Sequence, residues 1–234
     1  MLSRPLTLRP KEVKPPPGGS AGKPVAWWKL DETGGTEAAD ASGHARAARV
    51  EGAARWTPGR AGGALEFDGA RGYADGGDAA GFDFRDDLSV ALWLRLRAPG
   101  QSAQTIIAKG SDTWRVTLAG KSDKVVFALN GPQTTGKDRK RAPQVTSKTG
   151  LADGQWHHVA GAYDGKRIAL YVDGELADAV TAVGLVALNT EPLWLGDNSA
   201  ARSLCFNGWL DDVRLFAGGL SDEEVKAIYR ETAK

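Results

Sequence analysis

The stretch GQWHHVAGAYDGKRIALYVDGELA, residues 154–177, decides the fold. It holds two of the three histidines, so a catalytic or metal-binding cluster is one reading. Its spacing argues for a frame instead. WHHVAGAY, KRIALYV and ELADAV are strand-like runs separated by Asp164-Gly165 and Asp173-Gly174. Asp-Gly favours type I′ hairpin turns, which need positive φ at both central residues. The segment reads as three antiparallel strands with Asp164 and Asp173 as turn formers. His157 and His158, adjacent on one strand, point to opposite faces and cannot act as a pair on one ligand. Each is expected to make structural hydrogen bonds.

Working outward, the same pattern recurs. VAWWKLDE (25–32) alternates Ala26, Trp28 and Leu30 against Val25, Trp27 and Lys29. LSVALWLRLRAPG (88–100) puts Leu88, Val90, Leu92, Leu94 and Leu96 on one face. Trp93, Arg95 and Arg97 share the other, which predicts a sheet solvated on one side. GALEFDG, TIIAKG, TWRVTLAG and KVVFALNG are further short strands ending at glycines. One helix is predicted, over LSDEEVKAIYR (220–230). Ser221 and Glu224 form a capping box, Leu220 staples onto Val225, and Val225, Ile228 and Tyr229 give an apolar face. The fold class is all-β, a two-sheet antiparallel sandwich with one short C-terminal helix.

Composition bounds the function. Thirty basic residues against 29 acidic leave a net charge of +1, which gives no electrostatic case for a nucleic-acid partner. Thirty glycines and eight tryptophans suit many strands joined by tight turns. The single cysteine, Cys205, excludes an internal disulfide and a thiolate metal cluster, and its apolar setting predicts a buried, inert thiol. No apolar run reaches the length of a membrane span, and the N-terminus lacks the apolar core of a signal peptide. Residues 1–24 are rich in proline and basic residues and predict an extended tail or linker. Residues 25–234 form the domain.

VAWWKLDETGG, DASGH, ALEFDGARGYAD, LSVALWLR, WHHVAGAYDGKRIALYVDGE, LGDN, FNGWLDDVRLF and LSDEEVKAIY follow one another in this chain. Together they resemble LamG-like jelly-roll domains of the concanavalin A-like lectin/glucanase superfamily, over about residues 25–231. The resemblance implies two curved antiparallel sheets, an extracellular or cell-surface setting, and, in many members, a structural calcium ion. The matching positions for Ca2+ are Asp31, Asp211 or Asp212, with Asp40 a looser candidate. Calcium takes six to eight hard oxygens and accepts backbone carbonyls among them. The plainer alternative is that Asp31 caps a turn and Asp212 pairs with Arg214. Adjacent Asp211 and Asp212 are expected to face opposite ways, so at most one would bind.

Hydrolytic relatives carry carboxylates two residues apart on one strand, with a third in step. Glu66/Asp68 and Asp173/Glu175 are the nearest pairs here and lack the third, so both read as structural. No nucleophile elbow, zinc motif or phosphate loop is present. The chain is expected not to be an enzyme.

A sugar site would combine an aromatic with polar side chains. Trp114, Trp194 with Asp197 and Asn198, and Tyr73 beside Asp75 and Asp78 are candidates, with sandwich core as the alternative for each tryptophan. The loop 130–150 holds Lys137, Arg139, Lys140, Arg141 and Lys148. It is either a solvated loop or a patch for sulfated or uronic-acid polysaccharide. The leading expectation is a non-catalytic module binding a glycan or cell-surface protein. The alternatives are an assembly protein that forms homo-oligomers by docking its tail on a neighbour's sheet edge, and a hydrolase with a rearranged site.

Overall fold

The computed structural model describes residues 22–77, 79–100, 102–135 and 142–232. Within them the strands are β1 (Ala26–Trp28), β2 (Glu37–Ala38), β3 (Ala48–Glu51), β4 (Arg55–Pro58), β5 (Gly63–Asp68) and β6 (Tyr73–Gly77). They continue with β7 (Leu88–Leu96), β8 (Thr105–Lys109), β9 (Trp114–Leu118), β10 (Val125–Leu129), β11 (Gln133–Thr134) and β12 (Gln144–Thr146). The last are β13 (His157–Tyr163), β14 (Arg167–Val172), β15 (Glu175–Val183), β16 (Leu193–Leu195) and β17 (Asn207–Phe216), followed by α1 (Asp222–Thr232). One sheet runs β11-β15-β14-β13-β7-β17-β5-β4, with β1 also paired to β17; the other runs β12-β10-β9-β8-β16-β6-β3-β2. The expected all-β antiparallel sandwich is the fold observed.

Alternation along the strands builds the core. Leu88, Val90, Leu92, Leu94 and Leu96 of β7 join Trp28, Phe67, Trp114, Phe127, Leu193 and Leu195 in one buried cluster between the sheets. Gly161 of β13 sits where a Cβ would stand 2.6 Å from the Phe127 ring of the facing sheet, so the sheets meet closely over a residue without a side chain.

The outer face of the first sheet is divided. Small residues Ala91, Ala160, Ala162 and Ala169 let α1 lie close, and Val225, Leu220 and Ile228 pack there with Tyr171 and Phe216. The capping box forms as expected: Ser221 N–H donates to Glu224 Oε2 at 2.8 Å, and Glu224 N–H donates to Ser221 Oγ at 3.3 Å. Trp93, expected on a solvated face, is 3% exposed, because Tyr229 and His158 enclose it. Only beyond the helix do Arg95 and Arg97 reach solvent.

The two Asp-Gly turns differ. Asp173 (φ 51°) and Gly174 (φ 78°) have the type I′ signs. At the other turn only Gly165 has positive φ, at 80°. There Asp164 Oδ1 accepts the N–H groups of Lys166 and Arg167, so the side chain closes the loop that backbone conformation was expected to close.

Candidate functional site

The site forms where β17 changes partners. Its first half pairs with β5 as far as Leu210–Leu65, and its second half pairs with β1 from Val213–Trp28. On the opposite edge, pairing with β7 passes from Asp211–Trp93 to Arg214–Ala91, which leaves one residue over. Asp212, at φ 47°, is that bulged residue. A bulge bends its strand and re-aims side chains. It turns Asp211 and Asp212 to the same opening, correcting the expectation that they face opposite ways. The opening is a pocket of about 280 Å3 lined by Trp27, Lys29, Asp31, Arg60, Trp93 and Arg214 as well as the two aspartates.

The β4–β5 turn folds around two of the carboxylates. Asp211 Oδ2 accepts the N–H groups of Arg60 (2.9 Å) and Ala61 (3.2 Å), and Asp31 Oδ1 accepts that of Gly63 (2.9 Å). Gly62, at φ 86°, brings the turn so near that a Cβ would lie 2.2 Å from Asp31 Oδ1. Burial pushes the Asp211 carboxyl up to about 7; its backbone hydrogen bonds pull down, while the negative charges of Asp212 and Asp31 push up. Asp212 is engaged differently. Its Oδ1 accepts the Trp27 indole N–H and Arg214 Nε–H, and its Oδ2 pairs with Arg214 at 3.0 Å. Arg214 also reaches Glu231, and Arg60 donates to the Thr232 carbonyl at 2.7 Å, which ties the end of α1 to the rim.

Both plainer alternatives for the metal candidates are therefore present: Asp31 caps a turn and Asp212 pairs with Arg214. Asp40 is occupied too, its oxygens accepting the N–H groups of Trp27, Ser42 and Arg46 and the Ser42 hydroxyl. Burial raises the Asp40 carboxyl, but these bonds outweigh it and hold the group below its usual range. No group of three or more His, Cys, Asp or Glu side chains suited to a metal occurs among the described residues. Asp31 Oδ2 and Asp211 Oδ1 accept no hydrogen bond from a described residue, so calcium, if held here, would rest on these two oxygens and on carbonyls of the surrounding loops.

The sugar-site candidates are spread over the second sheet. Trp114, 1% exposed in the central core, offers no face to a ligand, which corrects its candidacy. Trp194 is 4% exposed, stacked on Tyr73 at 4.1 Å and covered by the Arg202 guanidinium at 4.9 Å. Its indole N–H is buried without a hydrogen-bond partner among the described residues. Asp197 accepts the Leu204 N–H; Asn198 donates to Gly110 O and Ser111 Oγ. Both brace loops. Asn198 also borders an opening of about 500 Å3 with Arg115, Thr117 and Gln144. Lys137, Arg139, Lys140 and Arg141, like most of the tail and Asp78, lie outside the described residues.

Three of the glucanase-like carboxylates are engaged in local contacts. Glu66 pairs with Arg97; Asp68 Oδ1 accepts two turn N–H groups. Asp173 holds the His157 ring at 2.8 Å and accepts the His158 N–H. Burial lowers the His157 pKa, but its bonds to Asp173 and Asp153 outweigh this and raise it. His158 differs: burial, then Arg214 and Arg60, lower it to about 3, and its Nδ1 has no hydrogen-bond partner among the described residues. Its ring makes aromatic contacts where a hydrogen bond was expected. Cys205 is buried, donates to the Ala70 carbonyl, and is pushed up to about 11 by burial and Asp197.

A family model of the laminin G type, described as concanavalin A-like lectin/glucanases superfamily, matches residues 68–226. The chain belongs to this superfamily. The match takes in Asp211 and Asp212 and begins after Asp31 and Asp40. No curated protein matches the sequence. Among solved structures, the binding domain of Paraclostridial mosquitocidal protein 1 is similar, with a TM-score of 0.70 at 13% identity over 90% of this chain and 52% of that one. The binding domain of botulinum neurotoxin DC, solved with rat synaptotagmin II, gives 0.69 at 15% over 92% and 52%. This lectin/glucanase-type chain thus spans about half the length of those toxin chains. Domain 4 of AbnA, a GH43 extracellular arabinanase from Geobacillus stearothermophilus solved with arabinotriose, gives 0.67 at 18% identity over 88% and 98%. At such identities the likeness is one of fold. No helix among the described residues is long and apolar enough to cross a membrane.

Sequence reasoning did not find Lys29, Arg60 or Glu231 as site residues. Arg60 lies 151 residues from Asp211, and only the partner switch at β17 unites them.

Proposed function

We propose that this chain is a non-catalytic recognition module for a carbohydrate or cell-surface glycan, acting outside the cell. The pocket at the β17 bulge carries the reading: it sets the Asp31 and Asp211 carboxylates beside the cations of Lys29 and Arg60 in one opening. Sugar hydroxyls need donors and acceptors side by side, and this rim supplies both. Membership of a lectin-bearing superfamily supports the reading, as does the likeness in fold to an arabinanase domain solved with arabinotriose. Glu66, Asp173 and Asp68, three of the carboxylates nearest a hydrolytic pattern, are engaged with Arg97, His157 and backbone N–H groups.

A glycan array screened in calcium and again in chelator tests the proposal. Glycans retained by the wild type should be lost by Lys29→Ala, a rim variant that breaks no hydrogen bond of the β4–β5 turn. An array blank in both conditions, or hits indifferent to Lys29→Ala, would remove the pocket from this role. Calcium is the second part of the proposal, with Asp31 and Asp211 as its side-chain ligands. Calcium should then raise the melting temperature, because a ligand of the folded state stabilises it by mass action. The rise should be larger at pH 8 than at pH 6, since Asp211 must lose its proton to bind. A melting curve indifferent to calcium at pH 8 would exclude the metal.

A further inference from the structure

Beside α1, on the outer face of the first sheet, a row of side chains crosses four strands. Register aligns Arg55 of β4 with Glu66 of β5, Glu66 with Trp209 of β17, and Trp209 with Arg95 of β7. Trp156 continues the row, because it directly precedes β13, whose His157 pairs with Leu94. The Arg95 guanidinium lies 4.1 Å from the Trp209 ring centroid and 5.4 Å from that of Trp156. Arg97, one step along β7, lies 4.5 Å from Trp209 and pairs with Glu66. Trp156, Trp209 and Arg95 are half-buried, while Arg55 and Arg97 are exposed.

The chemistry of Arg95 gives the row its meaning. Ring contacts attract the flat face of a guanidinium and leave its N–H edge unspent. The Arg95 guanidinium has no hydrogen bond or ion pair with any described residue, whereas that of Arg97 has Glu66 and that of Arg214 has Asp212. The indoles hold the cation in place, so its fork meets an oxyanion at little cost in side-chain entropy. The two tryptophans stand two strand spacings apart, about 10 Å, with the free fork between them. Three arginines face the one carboxylate of Glu66, so an anionic occupant is favoured. Exposed indole surface on both sides of the charge favours a rigid ring with an apolar face. A uronic acid offers both: a carboxylate on a ring whose C–H face can stack.

We propose that Trp156, Arg95 and Trp209 form a binding site for a carboxylate-bearing oligosaccharide, with Arg97 and Arg55 extending it. This site is separate from the pocket at the β17 bulge and stands whether or not that pocket binds a glycan.

The test is titration of the full chain with trigalacturonate, followed by calorimetry, with galactotriose as the uncharged control. Trigalacturonate should bind and galactotriose should bind at least about tenfold more weakly, as expected for loss of a charge-assisted fork. Arg95→Gln and Trp156→Ala should each weaken trigalacturonate about tenfold or more, and Trp156→Ala keeps the test open should Arg95→Gln not fold. Glu66→Gln should strengthen binding by releasing Arg97, a gain that a merely structural row would not produce. No binding by the wild type, or binding that neither variant weakens, overturns the proposal. Hexaglutamate binding as tightly as trigalacturonate also overturns it, and would make the row a site for acidic peptide.

Discussion

Asp211 is a buried acid whose proton is held more tightly in the folded chain than in the unfolded one. Its pKa rises from 3.8 to about 7: burial raises it most, the Ala61 and Arg60 N–H groups pull it part of the way back, and the Asp212 and Asp31 charges add to the rise. The stability it contributes is complete below pH 3.8 and is lost as pH rises through about 7. Asp211→Asn keeps an oxygen for the two backbone N–H groups and removes the charge. We expect it to raise the melting temperature at pH 8 by about 2–6 °C, with little change at pH 5. A variant equally shifted at both values would show that charge is not what Asp211 contributes. The acidic character of the DD pair was legible in the sequence, but the perturbation was not, because it depends on a turn about 150 residues away.

At the scale of elements, local chemistry proved a better guide than alternation alone. The capping box at Ser221 and Glu224 was readable because its hydrogen bonds join residues three apart. Ser221→Ala should cost about 1 kcal/mol, read as a lower denaturant midpoint with an unchanged slope. Since α1 encloses Trp93 through Tyr229, tryptophan fluorescence should report fraying of the helix in the same variant. A midpoint equal to wild type would mean that packing alone sets the helix start. The Asp173-Gly174 turn was legible for the same local reason. The bulge at Asp212 was not: alternation places Asp211 and Asp212 on opposite faces, and only pairing with both β1 and β7 demands the extra residue. Trp114 and Trp194 show the limit for aromatics. Both sit in strands with good alternation, yet one faces the core and the other a cover of Tyr73 and Arg202.

For the whole molecule, the separation of the sheets is set by side-chain volume, and Gly161 against Phe127 marks one close approach. Gly161→Ala should overpack the core and cost about 1–3 kcal/mol, or about 3–10 °C in melting temperature. Shortening the opposing ring in Gly161→Ala/Phe127→Leu should recover part of the loss. No recovery would place the cost in the backbone of β13 rather than in contact between sheets. The sandwich was legible from periodicity, because a one-residue slip would have turned Leu88, Val90 and Leu92 outward. What periodicity could not show is which strands lie side by side. That is why the Trp156–Arg95–Trp209 row, built from β7, β17 and the residue before β13, had no signature in any single segment.

The partner switch at β17 also bears on how the protein is made. Trp27 finds Asp212 across a separation of 185 residues, so β1 leaves the ribosome long before β17, the strand it pairs with, exists. At the usual pace of synthesis the wait is on the order of 10–40 s. Through it Trp28, which ends fully buried, has no final place to go. The β1–β17 pairing can form only after nearly the whole domain has been made, as a late closing stitch.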